Sequence, residues 1–344
     1  MEYDAPTPRP HGELAQDSRP AKTRAARPEI HFLAGAVGGL ATSIFTSPLD
    51  VLRTRLQSDF YQKPPPKSTI PLDAGTTLAR ILTGPSRHIQ DTLRIFYTIH
   101  HAEGWRGLFR GLGPSLTGVV PASAVKFYVY GNCKKFCAQL SNYSENSSIV
   151  HAQAAVAAGL ATATVTNPIW LIKTRLQLDV RQAAAGTTRQ YEDSLDCIRR
   201  VLRQEGISGL YRGLSASYLG TVETALHLVL YEQFKLFYRR VMARPDIPES
   251  GGIKDWVGTS GAAGSAKLAA VLITYPHEVL RTRLRQAPIE NGARKYTGLW
   301  QCFQRVRVEE GIAGLYGGLT PHLMRSIPAA IITLGVYEFV IGLV

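Results

Sequence analysis

The sequence predicts an all-α membrane protein of six transmembrane helices, arranged as three tandem two-helix repeats with pseudo-three-fold symmetry around a central cavity. Three observations predict this fold. A proline-centred motif occurs three times, a Glu-Gly motif follows each copy, and apolar segments rich in small residues flank them. Repetition of this kind indicates that each unit supplies one part of a shared core. Short amphipathic helices are predicted between the two membrane helices of each repeat.

The proline-centred motif reads SPLDVLRTRLQ, NPIWLIKTRLQ and YPHEVLRTRLR in the three repeats. Its prolines lie 120 and 108 residues apart. A proline inside a helix removes a backbone hydrogen bond and bends the chain. We therefore predict that the first helix of each repeat is kinked at its proline, namely Pro48, Pro168 and Pro276.

Two further motifs follow in the same order in each repeat and define the domain organisation. The Glu-Gly motif begins at Glu103, Glu205 and Glu310, and a tyrosine motif begins at Tyr130, Tyr231 and Tyr337. The opening segment is rich in Pro, Ala and mixed charge, which is typical of disorder. The predicted units are a disordered tail (1–29), repeat one (30–141, with a long loop over 58–90), repeat two (148–242) and repeat three (252–344).

Composition and charge exclude several classes of protein. The chain has 344 residues, and 39 Lys and Arg against 26 Asp and Glu give a net charge of +13. Nucleic acid, an anionic membrane surface or an anionic solute could attract such a charge. The basic residues lie in repeated motifs at the ends of apolar helices, which argues against nucleic-acid binding. The four cysteines form no CxxC pair, and no nucleotide-binding loop, metalloprotease motif or hydrolase dyad is present. We expect no enzyme activity, no cofactor and no metal.

The charged residues of the proline motif predict a gate at that end of the bundle. In repeats one and three an acid and a base lie three residues apart on one helical face, so the acid of one repeat can meet the base of another. The alternative is that these charges only mark a membrane interface. Three copies in register with prolines favour the gate, although repeat two carries Trp170 in the acid position. The predicted gate comprises Asp50, Arg53, Gln57, Trp170, Lys173, Gln177, Glu278 and Arg281.

The tyrosine motif predicts a second, weaker gate at the opposite end. Glu232 with Lys235 is the one complete acid–base pair, since Gly131 and Ile341 interrupt the other copies. One acid–base pair between repeats remains, Glu338 with Lys134. The predicted gate comprises Lys134, Glu232, Lys235 and Glu338.

Over residues 31–344 the chain resembles the mitochondrial carrier family. The segments that carry the resemblance are PLDVLRTR and PHEVLRTR, with their three-fold recurrence. The resemblance implies a monomeric, multi-pass protein of the mitochondrial inner membrane with both termini facing the intermembrane space. It also implies alternating access to one central site, with the proline motifs forming a matrix gate and the tyrosine motifs a cytoplasmic-side gate.

The PIW variant in repeat two resembles the branch of the family that moves nucleotides and nucleotide-like cofactors. We therefore expect exchange or import of pyrimidine (deoxy)nucleotides, namely UTP, TTP, CTP and the diphosphates. A carrier of NAD, FAD or folate is the alternative. The expected partners are these nucleotides and inner-membrane lipid, with cardiolipin as a candidate, and no nucleic acid.

The resemblance also implies where substrate binds. Aligning the second helices on their tyrosines places Gly118, Leu219 and Arg325 twelve residues earlier, at the family's contact points near mid-membrane. Steps of four along the same faces add Ala122 and Lys126, Glu223 and His227, and Ala329 and Thr333.

Arg325 is the first candidate for binding phosphate, because a guanidinium matches phosphate oxygens in a bidentate fork. Its alternative role is pairing with a carboxylate, and Lys126 is the second candidate. Lys267 replaces a small glycine of the other repeats, and either binds phosphate or snorkels past a neighbour. Glu223 either neutralises Lys126 or carries a proton, and His227 does the same or is a hydrogen-bonded wall residue. The residues expected to leave room for a flat base are Gly118, Leu219 and Gly220.

Overall fold

The computed structural model describes residues 28–58, 92–101, 103–141, 144, 147–179, 190–242, 253–288 and 294–342. Every regular element within these residues is a helix. Most of the predicted tail (1–29) and of the predicted long loop (58–90) lies outside the described residues. The fold class predicted from the sequence is confirmed.

The helices recur in the same order in each repeat. Repeat one contains α1 (Pro28–Phe45), α2 (Ser47–Gln57), α3 (residues 92–101) and α4 (Leu112–Ser141). Repeat two contains α5 (Ser148–Leu178), α6 (Ser194–Leu210) and α7 (Leu214–Met242). Repeat three contains α8 (Ile253–Thr274), α9 (Pro276–Arg285), α10 (Leu299–Glu309), α11 (Gly311–Leu315) and α12 (Leu319–Gly342).

The long helices form a ring in which neighbouring repeats pack on each other. Helix α4 packs along α5, α7 packs along α8, and α12 returns to pack along α1. A cavity lies between the three repeats, and five of the six long helices contribute described residues to its lining, namely α1, α4, α5, α7 and α12.

In repeats one and three, but not in repeat two, the first long helix is interrupted beside the proline of the repeated motif. Regular helix is interrupted at Thr46 and Tyr275, and α2 and α9 begin beside Pro48 and Pro276. Proline is favoured in the first turn of a helix because its missing N–H has no helical partner there. In repeat two, α5 continues as one helix through Pro168.

Apolar length alone identifies only part of the membrane-spanning set. Within the described residues, two helical segments are long and apolar enough to cross a membrane, Ile149–Leu178 and Gly311–Gly342. Helices α4 and α7 have 30 and 29 residues, which exceeds the roughly 20 needed to span a bilayer. Their hydropathy is lowered by polar residues that face the cavity, including Lys126 and Glu223.

The surfaces of the long helices carry many exposed large apolar side chains, a distribution that is uncommon on a soluble protein. Apart from Leu228, these residues are not among those lining the cavity. A lipid environment covers such surfaces at no cost. Representative members are Phe127, Phe136, Phe237, Ile327 and Ile331.

Each repeat buries a small apolar cluster between its proline-motif helix and its amphipathic helix. In repeat one the cluster is Leu52, Ile99 and Leu108. The other two repeats place residues at the equivalent motif positions, with Ile172 and Val201 in repeat two and Leu280 and Val306 in repeat three. The amphipathic helices are thus fixed to the gate helices by packing at the helical period.

A glycine before the second long helix of each repeat allows the repeats to approach closely. Its φ lies between 74 and 79° in all three copies, a region that favours glycine. An added Cβ would lie 2.8–3.2 Å from a carbonyl oxygen in the proline motif of the following repeat. The glycines are Gly111, Gly213 and Gly318.

Candidate functional site

A cavity of about 840 Å³ lies inside the ring and is lined by side chains of α1, α2, α4, α5, α7, α9 and α12. This volume is within the range of sites for small molecules and cofactors. Six cationic side chains line it against three carboxylates. The cations are Arg53, Lys126, Lys173, Arg281, Arg285 and Arg325, and the carboxylates are Asp50, Glu223 and Glu278. The cavity therefore favours a polyanion.

The predicted matrix gate is connected in the structure, and Asp50 lies at its centre in repeat one. Its carboxylate accepts a hydrogen bond from the Lys173 ammonium of repeat two at 3.1 Å. The Arg325 guanidinium of repeat three lies 3.0 Å from the other carboxylate oxygen. One acid therefore joins all three repeats.

Glu278 of repeat three supplies the second junction. Its Oε2 accepts from Arg53 of repeat one and also from Arg281 of its own helix. The side chains of Arg53 and Glu278 are 12% and 13% exposed, so water weakens this pair less than it would a surface pair.

The predicted gate glutamines lie beside these ion pairs and join neighbouring repeats. Thr54 donates its hydroxyl hydrogen to Gln177 at 2.8 Å, and Thr282 donates to Gln57 at 2.7 Å. Gln57 also donates to the Tyr275 hydroxyl at 3.1 Å. Both the oxygen and the nitrogen of the buried Gln57 amide thus have hydrogen-bond partners, as burial requires.

Within the part of the chain that the structure describes, no acid–base pair of the predicted kind joins repeats two and three in the gate. Trp170 occupies the acid position and donates its indole N–H to Thr166 at 3.0 Å. The Lys173 ammonium lies 5.2 Å from the Trp170 ring centroid, within range of a cation–π interaction. Arg281, which an acid at position 170 would face, pairs instead within its own helix.

A third layer of ion pairs was not predicted from the sequence. The second basic residue of each proline motif, an arginine in all three, pairs with the glutamate of the Glu-Gly motif in the same repeat. The same arginine also donates its Nε hydrogen to a backbone carbonyl at the end of the next repeat's motif, at 2.8–3.2 Å. The pairs are Arg55–Glu103, Arg175–Glu205 and Arg283–Glu310. Their signal in the sequence is the recurrence of both residues in every repeat.

The predicted cytoplasmic-side gate is not formed. Among the residues that the structure describes, no ion pair joins Lys134, Glu232, Lys235 and Glu338 to one another. Glu232 and Glu338 are exposed, and the Lys235 ammonium lies 5.8 Å from the ring of Tyr231. Ion pairs therefore join the repeats at the proline end, and none joins the predicted gate residues at the tyrosine end among those that the structure describes.

Four of the eight predicted substrate residues line the cavity, namely Lys126, Gly220, Glu223 and Arg325. Lys126 forms no ion pair among the described residues, so its charge is available. Gly118 is buried against Ile169 and Trp170, and Leu219 and His227 lie outside the lining. The structure therefore does not bring these three to the cavity wall.

Lys267 lies outside the lining and forms an ion pair across the boundary between repeats two and three. Its ammonium is 2.7 Å from Glu223, so the predicted neutralisation of Lys126 by Glu223 is wrong. The equivalent glycines of the other repeats, Gly39 and Gly159, have neighbouring side chains within 2.8–2.9 Å of an added Cβ. The third repeat replaces that close packing with a charge pair.

His277 was not predicted and lies beside two carboxylates in the cavity wall. Its ring and the carboxylates of Glu223 and Glu278 bring possible ligand atoms within 4.8 Å of one another. Both carboxylates are already in ion pairs, with Lys267 and with Arg53 and Arg281. We therefore assign them to these pairs rather than to a metal. His151 is also new, and its ring nitrogen lies 2.6 Å from the Tyr130 hydroxyl.

The three repeats match one family model, that of the mitochondrial carrier protein, over residues 26–140, 144–241 and 254–344. The chain belongs to the mitochondrial carrier family. Family membership makes it a transporter of the mitochondrial inner membrane rather than an enzyme. The arrangement of three two-helix repeats around a cavity is the arrangement that its sequence predicted.

Several members of the mitochondrial carrier family are similar along most of their length. The mitochondrial pyrimidine nucleotide transporter RIM2 of Saccharomyces cerevisiae is 46% identical over 327 residues, covering 92% of this chain and 86% of the relative. The mitochondrial carrier protein rim2 of Schizosaccharomyces pombe is 48% identical, covering 95% and 93%. Solute carrier family 25 member 36 of Gallus gallus is 41% identical, covering 91% and 97%.

Proposed function

We propose that the chain imports or exchanges pyrimidine nucleotides across the mitochondrial inner membrane by alternating access. The observation that carries the proposal is the cavity, in which six cations face three carboxylates next to a gate made of the same groups. The similarity to a carrier named for pyrimidine nucleotides narrows the polyanion to this class. Binding near the centre of a repeat-built bundle is also what alternating access requires.

Arg325 and Lys173 connect substrate binding to the gate in this proposal. Both side chains form ion pairs with the Asp50 carboxylate in the structure. A nucleotide phosphate offers the Arg325 guanidinium a bidentate partner, so it competes with Asp50 for the same group. Binding therefore removes one bond that keeps the proline end closed. Only a ligand that stabilises one state more than the other shifts the balance between them.

The direction of the molecule in the membrane belongs to the same proposal. We place the proline end at the matrix and both termini in the intermembrane space. The structure then corresponds to the state that is closed to the matrix. A monomer is sufficient, because one chain already supplies all three sides of the cavity, and inner-membrane lipid covers the exposed apolar faces.

A thermal-shift screen of the detergent-purified protein tests the substrate class. The ligands are UTP, TTP, CTP, ATP, NAD, FAD and folate. A ligand at a hundred times its Kd adds about 2.7 kcal/mol to the stability of the state it binds. We expect stabilisation by the pyrimidine nucleotides and little response to the others. A response limited to NAD, FAD or folate would be consistent with a carrier but would contradict the assignment of pyrimidine nucleotides as its substrates.

A further inference from the structure

Arg285 breaks the symmetry of the gate at a position where the other repeats carry glutamine. The proline motifs end in RLQ, RLQ and RLR, so Arg285 is equivalent to Gln57 and Gln177. Both glutamines accept a hydrogen bond from a threonine of a neighbouring repeat. Replacing a neutral amide by a guanidinium adds one full charge to the cavity wall at the boundary of repeats two and three.

This guanidinium is buried with neutral partners. Arg285 is 6% exposed and lines the cavity. Its Nη2 donates to the side chains of Asn167 at 2.8 Å and Ser217 at 3.1 Å, and its Nε has no hydrogen-bond partner. Within the described part of the chain, no carboxylate forms an ion pair with it. A buried charge without a counter-charge is costly, and in a membrane protein such a charge usually marks a site for substrate or ion.

One acid of the gate is also missing at the same boundary. Trp170 takes the place of the acid that would complete the gate between repeats two and three. Among the described residues, the neighbouring Arg281 pairs with Glu278 alone, and Glu278 also pairs with Arg53. Arg281 and Arg285 lie four residues apart on one short helix, and both line the cavity.

We propose that Arg281 and Arg285 form a subsite for the terminal phosphate of the transported nucleotide. The subsite supplies planar guanidinium donors, including the unpaired Nε of Arg285, to a phosphate group that carries more charge than the inner phosphates. A triphosphate or diphosphate reaches it and a monophosphate does not. Phosphate bound there provides the anion that repeat two lacks at Trp170. The inference rests on the proposed function and specifies how that site distinguishes phosphate number.

Substitution of Arg285 by the glutamine of the other repeats tests the subsite. Purified wild type, Arg285→Gln and the control Arg307→Gln are reconstituted, and UTP and UMP compete against uptake of labelled UTP. Arg307 is exposed on α10 and forms no ion pair among the described residues, so its loss removes the same charge outside the cavity. We expect the preference for UTP over UMP to fall about tenfold in Arg285→Gln, since a charged hydrogen bond is worth about that factor.

An unchanged UTP-to-UMP preference in Arg285→Gln would overturn the subsite and leave Arg285 as a link to Asn167 and Ser217. If Arg285→Gln does not survive purification, Arg285→Lys replaces it. It keeps the charge and loses the fork, so an intermediate preference supports the proposal and a wild-type preference contradicts it. Failure of the wild type to take up any pyrimidine nucleotide would instead contradict the proposed function. The failure of the subsite and the failure of the proposed function are therefore distinguishable.

Discussion

The two ends of the bundle are built from similar repeated motifs and are in opposite states. At the proline end, Asp50 and Glu278 join the repeats through Lys173, Arg53 and Arg325. At the tyrosine end, the predicted gate residues form no ion pair with one another within the described residues. The difference shows that a repeated charge pattern forms inter-repeat ion pairs at one end of the bundle and not, among the described residues, at the other.

The proline end itself combines a symmetric layer with an asymmetric one. The arginine–glutamate pairs and their backbone contacts recur in all three repeats. The cavity-facing layer differs from repeat to repeat, with Trp170, Arg285 and Arg325 each present once. Symmetry therefore belongs to the framework, and Arg285 and Arg325, which we propose as phosphate ligands, are departures from it.

Arg325→Ala is expected to have the largest effect, because it removes both the first phosphate ligand and a partner of Asp50. Uptake of labelled UTP into proteoliposomes should fall to the level of empty liposomes. Arg307→Ala, which changes an exposed arginine, should transport like the wild type. If Arg325→Ala takes up UTP at the wild-type rate, Arg325 does not belong to the substrate site.

Glu205→Ala compares the stability of the two ends. Glu205 pairs with Arg175 and Arg212 and is nearly buried, and breaking a buried pair costs about 3–5 kcal/mol. Glu232→Ala at the tyrosine end removes an exposed carboxylate and should cost less than about 1 kcal/mol. The measurement is thermal unfolding of both variants in detergent. Equal melting temperatures would show that the proline end is not the more strongly connected one.

Trp170→Asp completes the gate by supplying the missing acid opposite Arg281. A stronger gate raises the barrier to opening, so the rate of nucleotide exchange should fall several-fold, on the order of what about 1 kcal/mol produces. Trp170→Phe keeps an aromatic ring without the charge and controls for the loss of the indole. An exchange rate in Trp170→Asp that equals or exceeds that of Trp170→Phe would argue against the gate.

Labelling of the cysteines tests how α6 packs and is expected to leave transport unaffected by any change of sequence, so it is the smallest perturbation. Burial raises the pKa of the Cys197 thiol on α6 to about 12, so almost no thiolate exists at neutral pH. Cys133 and Cys137 on α4 are half-buried. Maleimide labelling of the native protein followed by mass spectrometry should modify the α4 pair and spare Cys197. Equal labelling of Cys197 would show that α6 is not packed on α5 as described.

The sequence predicted the fold and the inter-repeat ion pairs at the proline end because both depend on repetition. A motif that recurs three times fixes the order of the helices and the face that carries the charges. The proline-end contacts of Asp50 with Lys173 and of Glu278 with Arg53 follow from that symmetry. The arginine–glutamate layer was equally repeated, and its two residues lie too far apart in the sequence for spacing to pair them.

The cavity face of α7 could not be predicted in the same way. The alignment on tyrosines started at Leu219 and led through Glu223 to His227, and of these three only Glu223 lines the cavity. The other lining residues of α7 are Ser217, Gly220, Thr221, Thr224 and Leu228. A shift of one residue rotates a helix by about 100°, so a small alignment error places Leu219 and His227 outside the lining. The pairing of Glu223 with Lys267 also depends on the relative height of two packed helices, which no single repeat specifies.

Uptake of labelled UTP into proteoliposomes that contain the purified wild-type chain tests the central claim most directly. The account predicts saturable uptake that unlabelled CTP and TTP reduce, and that ATP and NAD leave nearly unchanged. Absence of uptake above protein-free liposomes, or competition by ATP and NAD as strong as by CTP, would contradict a pyrimidine nucleotide carrier.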